Sequence, residues 1–511
     1  MDINKNGILK SRENRMAAVY LVLSSFLLLM LASRSSFLYP FNDWNDANSY
    51  FSVGKALFNG KMPYRDVFDQ KGMYLYFFYG LAYLVSHTTF AGVFLMEIIL
   101  GAFDLFGIYR VLKLYVGQNT ALALTPPVLA VIFASPSFYW GGSAEEVCLP
   151  FLIWGLYLSL DYFKNKYPRE SVSVRTLLTG GLLAGMVANI KFTVLGFFFA
   201  WMMCMAFSFL VRREIRAAIK GCLIFLVGMA LPFIPWLIYF GIRGGLEYWY
   251  WGYVYINVFV YSNLNGEGPG LFERIYILSK ILYWVARKNL VYFVFVVPGV
   301  ACLLLRRKAK WLERFNILAL CFFLFFGIYV GGSELPYYAL PLSVFAVLGF
   351  ALLGGIWELF WTSYKGAPQK SWLPGLGCGL SLAAGLGILW ICSMNISFMS
   401  QKKEELFLYK FKEIVEETPD PTLLNIGCLD AGLYTVCDIV PTCQWFQTQT
   451  LPIDDVLLSQ EQYIREGRIS YVIARDDYPE VIWEQYELVG EEKWYLEENE
   501  FTYYLFRRKD I

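Results

Sequence analysis

Apolar runs about twenty residues long, repeated along most of the chain and separated by short segments that hold the lysines and arginines, constrain this sequence more than any other feature. A helix of that length crosses the hydrocarbon of a bilayer, and it satisfies every backbone N–H and C=O within itself. Such runs lie near 16–33, 90–112, 119–139, 146–163, 176–190, 192–210, 221–240, 289–305, 315–331, 338–358 and 373–394. The expected fold is therefore a polytopic α-helical membrane protein with about eleven spans. Composition agrees: hydrophobic residues are 57% of the 511 and charged residues 17%, against about 25% charged in a soluble domain.

Orientation follows from basic residues, which concentrate in short cytoplasmic loops. Basic clusters fall in the N-terminal tail and at Arg110–Lys113, Lys164–Arg175, Arg212–Lys220, Arg306–Arg314 and Lys365–Lys370, whereas segments 140–145 and 332–337 contain no Lys or Arg. This predicts a cytoplasmic N-terminus and an extracytoplasmic C-terminus. Met16–Ala32 follows Lys5, Lys10, Arg12 and Arg15 as in a signal peptide, but no small-residue cleavage site succeeds it, so it reads as an uncleaved first span. Met73–Ser86 is apolar but short for a span, and placing it across the bilayer would invert every basic loop. It is expected to lie flat within a large first outer loop, residues 34–89. A second outer segment, Gly241–Lys288, contains Glu247-Tyr-Trp-Tyr-Trp-Gly-Tyr-Val-Tyr255, a composition that suits a helix at the headgroups better than a sugar platform. Residues 1–395 then form the transmembrane module, and 396–511 a small extracytoplasmic α/β domain. Within that tail Lys402–Glu417 and Ile453–Glu466 read as helices, Thr422–Ile426 and Ile469–Ala474 as strands, and Tyr486–Leu496 with Phe501–Arg507 as a closing hairpin.

No basic stripe or nucleic-acid motif is present, which argues against nucleic acid as a partner. Ten cysteines are scattered without a C-x-x-C pair; Cys428, Cys437 and Cys443 lie in the tail, where at most one disulfide can form among them. The single histidine, His87, reads as a loop residue. Without more of them, Ser-His triads and multi-His metal centres are hard to build, and acid–base chemistry falls to carboxylates. Four stand in the first outer loop, Asp43, Asp46, Asp66 and Asp69, among the cations Lys55, Lys61, Arg65 and Lys71. Carboxylates just outside a bilayer can deprotonate a hydroxyl or hold a metal such as a divalent cation. Cations at that depth can neutralise a lipid phosphate. Ordinary charge scatter on a solvated loop would read the same way.

Asp46-x-x-x-Tyr50, followed by Gly60-Lys-Met-Pro-Tyr-Arg-Asp-Val-Phe-Asp-Gln-Lys-Gly72, resembles the first-loop signature of GT-C fold glycosyltransferases. More narrowly, it is similar to the bacterial branch related to protein O-mannosyltransferases and lipid A aminoarabinose transferases. Gly142-Ser-Ala-Glu-Glu-Val-Cys-Leu-Pro150, Ala188-Asn-Ile-Lys-Phe-Thr193 and Tyr337-Tyr-Ala-Leu-Pro341 fit in order, so the resemblance covers roughly residues 10–360; Met73 departs from it, standing where relatives often have proline. The resemblance implies inverting transfer of a sugar from a polyprenyl-phosphate carrier, on the outer side of the membrane, to a glycan, lipid or protein acceptor. It implies Asp46 as the base with Asp43 in reserve, Lys71 on the lipid phosphate, and Asp69 orienting Lys71 or the acceptor. Tyr50 and Arg65 join them as substrate contacts.

Beyond the loop, Glu145 and Glu146 either bind acceptor or a divalent cation, or are an exposed loop pair that begins a helix whose dipole favours acids. Lys191, between two apolar runs, is a phosphate contact or a snorkelling lysine. Glu334 and Tyr338 are candidates to line the same cavity. Two other functions stay open, a transporter or flippase of a lipid-linked sugar and a non-catalytic envelope scaffold. Against transport stand the lack of repeat symmetry and of matching broken helices, with acids gathered in an outer loop instead of at mid-membrane.

Overall fold

The computed structural model describes residues 3–260, 270–363, 373–450, 453–496 and 499–511; the basic cluster Lys365–Lys370 lies outside them. The first helices are α1 (Ile3–Ala32), α2 (Asn45–Phe58), α3 (Met73–Val85), α4 (Ala91–Leu112), α5 (Gln118–Phe133), α6 (Ala144–Asp161), α7 (Val174–Ala188), α8 (Gly196–Val211) and α9 (Ile215–Ala230). Among the described residues eight helical segments have the length and hydropathy of a span: Asn14–Ala32, Ala91–Leu112, Ala144–Lys166, Phe192–Val211, Ile215–Ile242, Trp311–Tyr329, Pro336–Phe360 and Gly375–Cys392. Leu271–Lys288 and Leu290–Leu305 qualify together as a ninth but bend by 112°. Asn289 makes the break, with φ −111° and ψ 37° outside the helical range. The chain is a multi-pass membrane protein. The runs expected near 119–139 and 176–190 hold helices shorter than a span, α5 and α7. Pro136 follows closely on the end of α5, and the residue before a proline resists helical dihedrals.

The chain divides into two compact units. One comprises Met1–Ser33, Glu97–Ile234 and Pro269–Ser397. Within it α5 packs on Leu373–Cys392, α7 on α9, and α8 on Trp311–Tyr329. A Cβ at Gly181 would strike the carbonyl of Phe225 and one at Gly196 that of Phe323. Glycine at these crossings permits the close backbone approach on which packing between membrane helices relies.

The other unit comprises Arg34–Met96, Pro235–Gly268 and Phe398–Ile511. The first loop and residues 235–268 group with the tail in this unit. Here α2 packs on α3, and a Cβ at Gly54 would meet the backbone N of Gly80 at 2.6 Å. In the tail, β1 (Leu423–Ile426), β2 (Tyr471–Arg475), β3 (Tyr486–Leu496) and β4 (Asn499–Arg508) form a four-stranded sheet in the order β1-β2-β4-β3. β1 and β2 run parallel, with Leu424 opposite Val472, and helix Asp454–Arg465 lies in the crossover that a parallel pair requires. Both strands are largely buried and read as apolar runs, the mark of a covered parallel pair. β4 pairs antiparallel with β2 and with β3. Helix Phe407–Val415 buries Phe407, Leu408, Phe411 and Val415, one apolar stripe at helical spacing. All ten cysteines are free, Cys428, Cys437 and Cys443 included.

Candidate functional site

The first loop is built from polar residues that hydrogen-bond locally. The Asn48 amide donates to the carbonyls of Asn42 at 2.9 Å and Trp44 at 3.0 Å, which pins the entry to α2. Asp46 falls in the first turn of α2, where unpaired N–H groups present the positive end of the helix dipole, and is 8% exposed. Tyr50 follows four residues later and so lies on the same face. Its buried ring meets Tyr79 edge to face at 5.6 Å, and the Lys71 ammonium lies 5.6 Å from its centroid.

Lys71 owes its position to the tight loop before it. Tyr64 adopts φ 70°, costly for a side chain with a Cβ, and is held there by its N–H bond to the Val67 carbonyl at 2.7 Å. The Tyr64 hydroxyl then donates to the Lys71 carbonyl at 2.6 Å. On the other side the Tyr76 hydroxyl accepts the Lys71 N–H at 2.7 Å and donates to Asp69 Oδ2 at 2.7 Å. Asp69 thus acts on Lys71 through Tyr76. Arg65 is engaged locally: it donates to Asp66 at 2.7 and 2.9 Å and is partly exposed, and these bonds hold the Asp66 carboxyl below the usual carboxylate range.

Asp43 is differently placed. Its Oδ1 accepts from Arg34 Nη1 at 2.9 Å and its Oδ2 from Trp494 Nε1 at 2.9 Å, a buried ion pair that joins the loop to β3. Lys55, which reads from the sequence as one more loop cation, has a fully buried side chain whose Nζ donates to the Tyr434 carbonyl at 2.9 Å and Asp438 Oδ1 at 3.0 Å. Burial pushes its ammonium down from the usual range, and Asp438 partly restores it. His87 stacks on Tyr83 at 4.3 Å, with Nδ1 3.2 Å from Asp438.

A second cluster lies in the other unit. Glu145 and Glu146 are 1% and 2% exposed, which removes the reading of them as an exposed loop pair. They open α6 behind the N-cap Ser143, whose hydroxyl accepts the Glu146 N–H at 2.9 Å. Glu146 Oε2 reaches back to the Gly142 N–H at 2.7 Å. Gly141 and Gly142 take φ +85° and +82°, and a Cβ on Gly141 would meet Glu97 Oε1. Lys191 forms an ion pair with Glu145, and its ammonium lies 3.8 Å from the Tyr338 centroid and 5.5 Å from that of Tyr337. Three motifs far apart in the chain thus converge on Lys191. Glu334 instead pairs with Lys288 at 3.4 Å in a more open setting.

Several residues of these clusters were not expected from the sequence. Arg34, Tyr76 and Trp494 belong to the first. Glu97 and Asp104 stand on α4, in the same unit as the second cluster, 0% and 1% exposed. The Ser33 hydroxyl donates to Glu97 at 2.8 Å, and the Asp104 oxygens have no hydrogen-bond partner among the described residues. Two acids seven apart in an apolar run share a helix face, and a buried acid inside a span is a functional candidate, so this signal was readable. Among the described residues no three His, Cys, Asp or Glu side chains gather closely enough to hold a metal ion.

No family model matches the chain, and none of the curated proteins matches it. Two crystal structures of ArnT from Cupriavidus metallidurans, one bound to undecaprenyl phosphate and one in the apo state, are similar in structure. Each gives a TM-score of 0.60 at 12% identity, over 97% of this chain and 98% of that one. At that identity the similarity concerns the backbone, and it runs over nearly the whole of both chains. The chain has the GT-C fold.

Proposed function

We propose that this protein is an inverting glycosyltransferase that moves a sugar from a polyprenyl-phosphate carrier to an extracytoplasmic cell-envelope acceptor. One observation carries the reading: Asp46 lies one turn from Tyr50 on α2, and the Lys71 ammonium sits over the Tyr50 ring, so a carboxylate and a cation flank one buried aromatic. The undecaprenyl phosphate in the ArnT structure supports a lipid-phosphate donor. In the reaction Asp46 takes the proton of the acceptor hydroxyl as its oxygen attacks the anomeric carbon. The bond from that carbon to the phosphate oxygen breaks on the opposite face, and configuration inverts. The carrier phosphate leaves with the bonding pair, and the Lys71 ammonium offsets its charge. Asp43, with both oxygens engaged, stays out of the proton transfer. Lys191, steered by Glu145 and Tyr338, is assigned to a substrate phosphate, and Tyr50 and Asp69 to shaping the site around Lys71.

The test is transfer of radiolabelled sugar from purified polyprenyl-phosphate sugar in membranes, with variants at matched protein level. Asp46→Asn should lose about 10²–10⁴-fold in rate, the usual worth of general-base catalysis, and keep carrier binding. Asp43→Asn should lose less. Near-normal transfer by Asp46→Asn would remove the base, and carrier translocation without transfer by the parent protein would favour the transporter.

A further inference from the structure

The mechanism above leaves unused an aromatic cleft within the second unit, of about 730 Å³, in the range of about 300–1,000 Å³ typical of ligand clefts. Glu247, Tyr250 and Trp251 line it from one side, and Gln444, Trp445 and Asp455 from the other. Segment 247–255 reads from the sequence as a bilayer belt, yet Trp251 turns toward the tail. Its ring lies 6.4 Å from Trp445 at 73°, and both rings rest on Phe68, at 5.4 and 4.8 Å. Phe68 is itself fixed, donating its N–H to the Gln444 carbonyl at 2.9 Å and accepting from Gln449 Nε2 at 3.1 Å. The two indole rings of the lining are therefore backed by a fixed, buried residue of the loop that carries Asp69 and Lys71. Tyr250 remains 51% exposed at the rim.

The lining selects a ligand chemistry. Indole and phenol faces cover flat apolar surfaces, while Glu247, Asp455 and Gln444 offer hydrogen-bond acceptors around them. A pyranose ring presents that combination, a C–H face edged by hydroxyl donors. Among the described residues no Lys, Arg or His lines the cleft, so a phosphate headgroup or an anionic polymer would meet its carboxylates. We propose that the cleft is a saccharide subsite that holds a neutral or amino-sugar stretch of the acceptor. Its role toward an acceptor rests on the glycosyltransferase reading, whereas sugar binding does not.

The experiment uses the full chain in detergent micelles, with calorimetric titration of chitotetraose, mannotetraose and, for contrast, tetragalacturonate. At least one neutral oligosaccharide should bind, with affinity falling about tenfold in Trp251→Ala and in Tyr250→Ala, the loss expected for one stacked ring. Tyr250 is half exposed, so its variant folds even where Trp251→Ala does not. Absence of binding to both neutral probes, preference for the anionic one, or unchanged affinity in Tyr250→Ala overturns the proposal. So does quenching of Trp251 by brominated lipid in vesicles, which would return the segment to the bilayer. Asp46→Asn should bind the oligosaccharide as the parent does. If it also transfers sugar normally, the base assignment falls while the saccharide subsite stands.

Discussion

Lys71 ends a flexible four-carbon stem in a point charge, so its use on a phosphate depends on how firmly its backbone is held. Two tyrosine hydroxyls hold it, Tyr64 on the carbonyl and Tyr76 on the N–H, and Tyr76 is in turn bound to Asp69. Lys71→Ala should weaken donor use strongly, because removing one member of a buried charge pair costs about 2–5 kcal/mol. Lys71→Arg should retain part of it. Tyr76→Phe keeps the charge but frees the Lys71 N–H and Asp69, so its loss in transfer rate should be smaller than that of Lys71→Ala. Transfer kinetics at matched expression check all three, and wild-type kinetics in Lys71→Ala would contradict the role. Lys71 and Asp46 were legible because a short motif carries them. Tyr76 was not, since it stands inside an apolar run and acquires its task only when the preceding loop folds back.

Among the elements, α2 shows why a helix of the first loop carries so many small polar side chains. Ser49 donates to Gln447 at 2.6 Å, Ser52 to Asp430 at 2.6 Å, and Thr435 to Asn48 at 3.1 Å, all buried. Each bond spares a buried polar group the cost of lying unpaired. Burial raises the Asp430 carboxyl from 3.8 to about 6, against the lowering effects of the Ser52 hydroxyl, the Gly432 N–H and the Lys55 charge. A carboxyl raised in the folded state binds its proton more tightly there. Its contribution is full below the unfolded value and is lost as pH rises through about 6. The loss is on the order of 3 kcal/mol. Asp430→Asn cannot titrate, so its melting temperature relative to the parent should improve from about pH 4.5 to about pH 7.5. A difference independent of pH across that window would contradict the assignment.

For the whole molecule, the distribution of basic loops sets the orientation on which the proposed site depends. Single cysteines at Glu170, Lys310 and Thr450, in a background freed of the native ten, test it with a membrane-impermeant reagent. In intact cells only the Thr450 position should react. Labelling there only after lysis would place the tail, and the first loop grouped with it, on the cytoplasmic side, where an extracytoplasmic transfer cannot occur.

Hydropathy, charge and turn residues by themselves determined the apolar helices, the tail's strands and helices, and the first-loop motif. Each of these depends on neighbours close in the chain, through helix length against bilayer thickness and through the alternation of apolar positions. Tertiary structure alone decided the partners. Asp43 and Asp46 look alike in sequence, and only the arrival of Trp494 from the tail, with Arg34, separates them. Lys55 looked solvated until the Asp438 loop covered it, Glu145 looked exposed until Lys191 reached it, and Trp251 looked lipid-facing until Phe68 and Trp445 packed on it. A side chain's burial and its choice of partner come largely from other segments, from 46 residues away for Glu145 to 383 for Lys55 and 451 for Asp43, and no local pattern encodes them.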